Sequence, residues 1–476
     1  MPLAPRTTSA VTRARVLHLG LNVLTGILST SWLARIPAIR DSLGLTTADI
    51  GMLLLVGSLA SLATVMLTPR AVRLLGNRGV LAASGVVLGV GSALMGIGPQ
   101  VGSVPLLAAG LLLNGAGSAV TSVVFNVENA RIERAVGRTV IPQFHAAFSL
   151  GAVAGSVVGA LASRAGVPVG VQLAAVGVVT VVWRFASLDA VLPPQPDELA
   201  ARPVVWPAAG DARPTARPRR RPSATAGPWL ERRTLLIAAM VFAGSLSEGS
   251  ANNWLSLAVV DGFDRPEATG GVVLGVFVGA MTVCRALGTR LIDRFGRRAV
   301  LRASGLAAIA GLLVFGLAPG LPFAVLGVAL WGAGAAMVAP IGMGASADDP
   351  LRAAGRVAVA TAGGAIAAII APPALGLVAQ TLGARGALML VAVPLVTIVA
   401  LAGAVRRAPG EETAPIPSDE AGPAAAAPAG VATAPTAPRG TPFPDQLALA
   451  GGPTSRSGVD VVRRVVAAST PWRPRR

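Results

Sequence analysis

The 476-residue chain is 53% hydrophobic and only 13% charged, with a formal charge of +18 and a mean hydropathy of +0.67, a balance that excludes an ordinary soluble globular protein. Its one cysteine, Cys284, and two histidines exclude an internal disulfide framework and a Cys/His metal centre, and the absence of lysine excludes the phosphate loop of an ATP-driven machine. The basic residues are all arginine and gather at the ends of apolar segments and in Pro-rich stretches, which points to membrane topology and not to nucleic acid.

Apolar stretches of about 17 to 25 residues, enough to span a bilayer, recur at 16–34, 48–68, 79–98, 104–127, 143–163, 168–187, 234–260, 270–288, 299–318, 321–344, 356–380 and 386–405. The sequence therefore predicts an all-α membrane protein with twelve transmembrane helices. No small-residue cleavage site follows a short apolar core, so the first span is expected to stay as an anchor. Alternating the loops leaves only Arg35, Arg40, Arg164, Arg265 and Arg385 on one side. The positive-inside rule then predicts that both termini are cytoplasmic.

In the first span His18, Asn22, Thr25 and Ser29 share one helical face. Such groups are costly in hydrocarbon unless they meet protein or a water-filled cavity, and a polar face repeated on several spans predicts a solute passage. The fourth span carries a second stripe at Asn114, Ser118, Thr121 or Ser122, and Asn129, with Asn126 and Glu128 near its end. Glu128 either approaches the cavity or pairs with Arg131. The fifth places His145, Ser149, Ser156 and Ser163 in one arc and Gly151, Gly155 and Gly159, a contact face, on another. His145 is a candidate for titration near neutral pH or a packing histidine.

The segment 189–233, rich in Pro and Arg, reads as a cytoplasmic linker between an N-terminal six-helix bundle, 1–188, and a C-terminal one, 234–405. The tail, 406–476, reads as disordered, with a short amphipathic helix as an alternative at Val459 to Ala468, and binding of anionic lipid is the alternative role for the arginines of linker and tail. In the seventh span Glu248 lies about 22 Å along a helix from Arg233. It shares a face with Ser245 and Asn252, and Asn253 and Trp254 adjoin. A carboxyl at that depth is a functional-site candidate: it carries a proton, receives a hydroxyl-bearing or cationic solute, or locks helices together.

After the eighth span the chain reads Thr289-Arg-Leu-Ile-Asp293-Arg294-Phe-Gly296-Arg297-Arg298, and after the second Pro69-Arg-Ala-Val-Arg73-Leu74-Leu-Gly76-Asn77-Arg78. These weak repeats resemble the inner-loop signature G-x-x-x-D-R-x-G-R-R of the major facilitator superfamily. Arg73 and Leu74 depart from it in the first copy. Trp32 to Ile39, Phe144 to Gly151 and Ala371 to Gly376 resemble a fucose-permease-like bacterial subgroup. The fourth span lacks the arginine of R-x-x-Q-G-x-G, and Ser156 replaces the proline of the drug-antiporter motif.

The resemblance implies a non-enzymatic, monomeric transporter of the cytoplasmic membrane, with two six-helix bundles working by alternating access and with no cofactor or metal. The polar stripes and their neighbours predict a substrate cavity of Asn22, Thr25, Asn114, Ser118, Asn126, His145, Asn252, Asn253 and Trp254. Proton coupling falls to Glu248 and Glu128, and an inner-loop gate to Arg285, Asp293, Arg294, Gly296 and Arg297. Proton-coupled export of a small organic solute is the first expectation. Proton-linked uptake of a sugar-like solute, or a non-transporting membrane sensor, are the alternatives.

Overall fold

The computed structural model describes residues 9–137, 140–188, 227–349 and 352–406. In chain order the helices are α1 (Ser9–Leu33), α2 (Ile36–Leu43), α3 (Thr47–Gln100), α4 (Val104–Val136), α5 (Ile141–Arg164), α6 (Val169–Ala186), α7 (Gly227–Leu230), α8 (Arg232–Phe263), α9 (Glu267–Leu317), α10 (Leu321–Ala335), α11 (Val338–Ser346), α12 (Ala353–Met389) and α13 (Ala392–Leu401). The predicted tail, Val459 to Ala468 included, and linker residues 189–226 lie outside the described residues. The rest of the predicted linker is already helical: α7 begins at Gly227, and Glu231 precedes the first turn of α8.

Among the described residues nine helical stretches are long and apolar enough to cross a membrane. Three of them run past a glycine with a left-handed backbone: Gly76 (φ 66°), Gly296 (φ 78°) and Gly383 (φ 70°). Counted on either side of those turns, the nine stretches divide into twelve, consistent with the spans that the hydropathy predicts. The positive φ explains why glycine is needed in both inner-loop copies, since a side chain there would strain the backbone. Elsewhere the boundaries follow local chemistry. Thr46 and Asp49 form a capping box at the start of α3, and Gly44 and Gly137 cap α2 and α4 in the left-handed region.

The two halves use the same packing. α1 lies on α5 as α8 lies on α12, and α3 lies on α4 as α9 lies on α10. Glycines permit the closest approaches. A Cβ added at Gly151 would sit 2.0 Å from the Val23 carbonyl oxygen, and one at Gly155 2.6 Å from that of Ile27. In the second half the equivalent contact sets Gly363 against Ala238. Dispersion across such contacts, not a hydrophobic driving force, holds helices together in lipid. The halves meet where α3 packs on α12 and α5 on α9, through Gly51 against Pro372 and Gly271 against Ala160. The core of the second half is aromatic, with Phe277 edge-on to Trp331 and Trp331 donating from Nε1 to the Ser247 hydroxyl.

Candidate functional site

Glu248 sits midway along α8, and its Oε2 accepts a hydrogen bond from Arg285 Nη2 at 2.8 Å. Arg285 belongs to α9, and its Nε donates to the backbone carbonyl of Ala336 at 3.2 Å. That carbonyl is available for a covalent reason. Pro340 stands four residues on and has no N–H to offer it, so the tenth span breaks between α10 and α11 and leaves Ala336 facing the guanidinium. Both charged side chains remain reachable, 28% exposed for Glu248 and 31% for Arg285. A paired acid and base inside a span, held by a carbonyl that lacks its helical partner, is a candidate site for holding an ion at depth.

Arg285 was expected to join the inner-loop gate with Asp293, and the structure corrects that. Arg285 crosses from α9 to Glu248 on α8, whereas Asp293 and Arg294 are exposed near the Gly296 turn, with Arg294 over the Phe295 ring. Arg297 instead reaches Asp348, whose other oxygen accepts from Arg233, at 2.7 and 2.9 Å. Glu128 occupies the matching place in the first half. It accepts from Asn77 at 2.6 Å and pairs with Arg131 at 2.8 Å while 1% exposed. These contacts tie α3 to α4 at the loop end, and protein encloses the carboxylate.

The remaining predicted residues divide. Asn252 and Asn253 are half-buried on α8, the first of them one turn beyond Glu248, and Asn114 and Ser118 are half-buried on α4. Asn126 and His145 are exposed, toward the end of α4 and near the start of α5. Asn22 and Trp254 are buried in protein instead of facing open space. The stripe on α1 turns into the first half. Asn22 and Thr25 bond to the carbonyls of His18 and Leu21 on their own helix, and His18 is wedged edge-on between Phe125 and Phe144 at 4.8 and 5.0 Å. Beside them Arg184, 1% exposed, donates to the hydroxyls of Ser84 and Thr121 and finds no acidic partner among the described residues. A polar helical face predicts that protein or water covers it, and here protein does.

One end of the molecule carries a seal that the sequence did not suggest. Glu267, at the start of α9, accepts from Arg35 Nε at 3.1 Å, from the Ala38 backbone N–H at 3.1 Å and from the Ser163 hydroxyl at 2.6 Å, so two segments of the first half, the start of α2 and the end of α5, hold one carboxylate of the second. Arg35 also donates to Gln172 and to the Val167 carbonyl, and Arg40 pairs with Asp261 across the halves. Burial alone would lower the Arg40 pKa, but Asp261 and Asp41 raise it above the ordinary value. At the other end Glu231 binds Arg356 through both oxygens. Burial pushes the Glu231 carboxyl up, yet the bonds from Arg356 and Thr234 hold it below its usual range.

The sequence pattern of the Major Facilitator Superfamily matches residues 18–358 and 237–452. An uncharacterized transporter of Sinorhizobium fredii, y4wD, is 29% identical over 361 residues, covering 75% of this chain and 89% of that protein. Among solved structures, a variant of the nucleoside transporter NupG has a TM-score of 0.67 at 15% identity, covering 83% of this chain and all of that one. A variant of the E. coli fucose:proton symporter FucP has a TM-score of 0.53 at 16% identity, covering 83% and 98%. At these identities the structural likeness concerns the fold.

Proposed function

As the chain belongs to the Major Facilitator Superfamily and is a multi-pass membrane transporter, we propose that it moves a small organic solute across the cytoplasmic membrane by alternating access, with a proton coupled through Glu248. The observation that carries this reading is the part-exposed Glu248–Arg285 pair, set in mid-span and held by the carbonyl that Pro340 leaves free. To the proposed cavity lining we assign Asn252 and Asn253 on α8 and Asn114 and Ser118 on α4, all of them half-buried.

The arginine distribution supports cytoplasmic termini. On that reading the Glu267 seal faces outward, and the state described is closed toward the outside. The chain acts as a monomer of two six-helix bundles, 1–188 and 234–405, that rock about the midplane site. The export expected from the sequence gains no support from any contact. Proton-linked uptake is favoured by the pairing of an acid with a base at the site, and FucP, of the same fold, is titled a fucose:proton symporter.

The test is Glu248→Gln in reconstituted vesicles. Its amide resembles a permanently protonated acid that cannot release its proton. Solute accumulation driven by a pH gradient should fall at least tenfold and lose its pH dependence, while exchange without a gradient survives. Unchanged accumulation would remove Glu248 from the coupling.

A further inference from the structure

Resting on the reading of the Glu248–Arg285 pair as the transport site, we propose that the cargo is a small organic monoanion, a carboxylate, which takes the place of Glu248 on Arg285 while Glu248 carries one proton.

The argument begins with charge. Arg285 stands eleven residues before the Gly296 turn, about 16 Å along the helix, and it brings a cation to that depth. Only Glu248 neutralises it among the described residues. The helices packed around the pair offer no other ionisable group at its level. α10, α11 and α13 carry none at all. α12 has only Arg356 and Arg385, toward opposite ends, where they bind Glu231 and the carbonyls of Phe315 and Ala318. On α1 His18 is enclosed by Phe125 and Phe144, and on α5 His145 lies near the loop end. On α9 itself Cys284 adjoins Arg285, and the next charge is Arg290, toward the loop.

Geometry then selects the ligand. Nε is committed to Ala336, Nη2 to Glu248, and Nη1 has no hydrogen bond among the described residues. When Glu248 takes up a proton from the acidic solution on the open side and lets go, the two Nη groups are left as a fork, a shape that receives a carboxylate with two parallel bonds. The charge balance closes in both forms that must cross. The empty site holds Glu248 negative and Arg285 positive. The loaded site holds a neutral Glu248, a positive Arg285 and a negative solute. A cation bound to Glu248 would strip Arg285 of its partner at a depth where an unpaired charge is disfavoured about a hundredfold. A neutral solute would leave the ion pair intact and give the proton nothing to do. One proton and one anion therefore travel together without net charge, inward when the outside is acidic.

The experiment uses the full chain in detergent and in vesicles. Thermal shifts at acid and neutral pH are read for gluconate, pyruvate and glycerate, for fucose and uridine, and for choline and tetraethylammonium. Flux of the same probes is corrected with protein-free vesicles. The expected result is stabilisation by carboxylates that is stronger at acid pH, with at least tenfold accumulation under an inward pH gradient and none under a membrane potential alone. Glu248→Gln should bind carboxylates about tenfold more tightly and without pH dependence. Arg285→Gln should lose them, and Arg285→Lys, which keeps the charge and guards against a folding defect, should retain weakened binding. Movement of only neutral or cationic probes, or potential-driven carboxylate uptake, would overturn the anion assignment and leave the transport reading standing. No binding and no flux with any class would overturn both.

Discussion

The two halves are built alike and equipped differently. At the loop end each has a left-handed glycine and a buried carboxylate beside it: Gly76 with Glu128, and Gly296 with Asp348. In the same register before those glycines, however, the first half has Val65 and the second has Arg285. The tenth span is broken at Pro340, whereas α4 runs uninterrupted from Val104 to Val136 and frees no carbonyl. The first half buries its own cation, Arg184, among hydroxyls. The second exposes Arg285 beside Glu248. A duplicated scaffold thus keeps its packing and clamps in both copies and concentrates reachable charge in one.

The largest effect expected is on the shared packing. Gly151→Val in the first half and Gly363→Val in the second should each destabilise by about 3 kcal/mol, because a side chain would meet backbone that cannot retreat. Thermal unfolding of the purified variants checks this, and a wide disparity between them would break the equivalence of the halves. Next come the clamps. Glu128→Gln and Asp348→Asn should each cost about 2 kcal/mol, by replacing charge-assisted bonds of a buried carboxylate with weaker neutral ones, yet spare the pH dependence of transport. A Glu128→Gln protein that loses proton-driven accumulation while folding normally would return Glu128 to the coupling role first expected of it.

The seal joins the halves and does not repeat within them. Glu267→Gln removes a charge-assisted bond worth about 2 kcal/mol, equivalent to a thirtyfold shift toward opening at that end. With Cys284→Ala as background, a cysteine placed at Ser163 should react faster with an impermeant thiol reagent in the variant, and equal rates would deny Glu267 a latching role. The smallest effect is expected from Pro340→Ala. Restoring the N–H should let the helix reclaim the Ala336 carbonyl, leaving stability within about 1 kcal/mol but weakening the hold on Arg285. Transport should fall a few-fold, and an unchanged rate would make the helix break incidental.

The sequence by itself determined the class, the spans and the depth of Glu248, because hydrocarbon imposes a length and a polarity on every segment whatever its neighbours are. Gly151 and Gly155 were legible for a similar local reason, since close helix contact demands small residues, whereas Gly76 and Gly296 stood out only through the inner-loop resemblance and their positive φ came from the structure. What α1 and α4 do with their polar faces was decided only by tertiary packing. Periodicity shows that His18, Asn22 and Thr25 must be covered, and cannot tell covering protein from covering water. Likewise an acid near a helix end reads the same whether it clamps, as Glu128 does, or seals, as Glu267 does. The partners Arg131 and Asn77, or Arg35 and Ser163, arrive from distant parts of the chain. Arg285 looked like one more positive loop-end residue until folding laid it against Glu248 and against a carbonyl freed by a proline on another helix. Ion pairing depends on three-dimensional distance, and that distance is set by how helices pack.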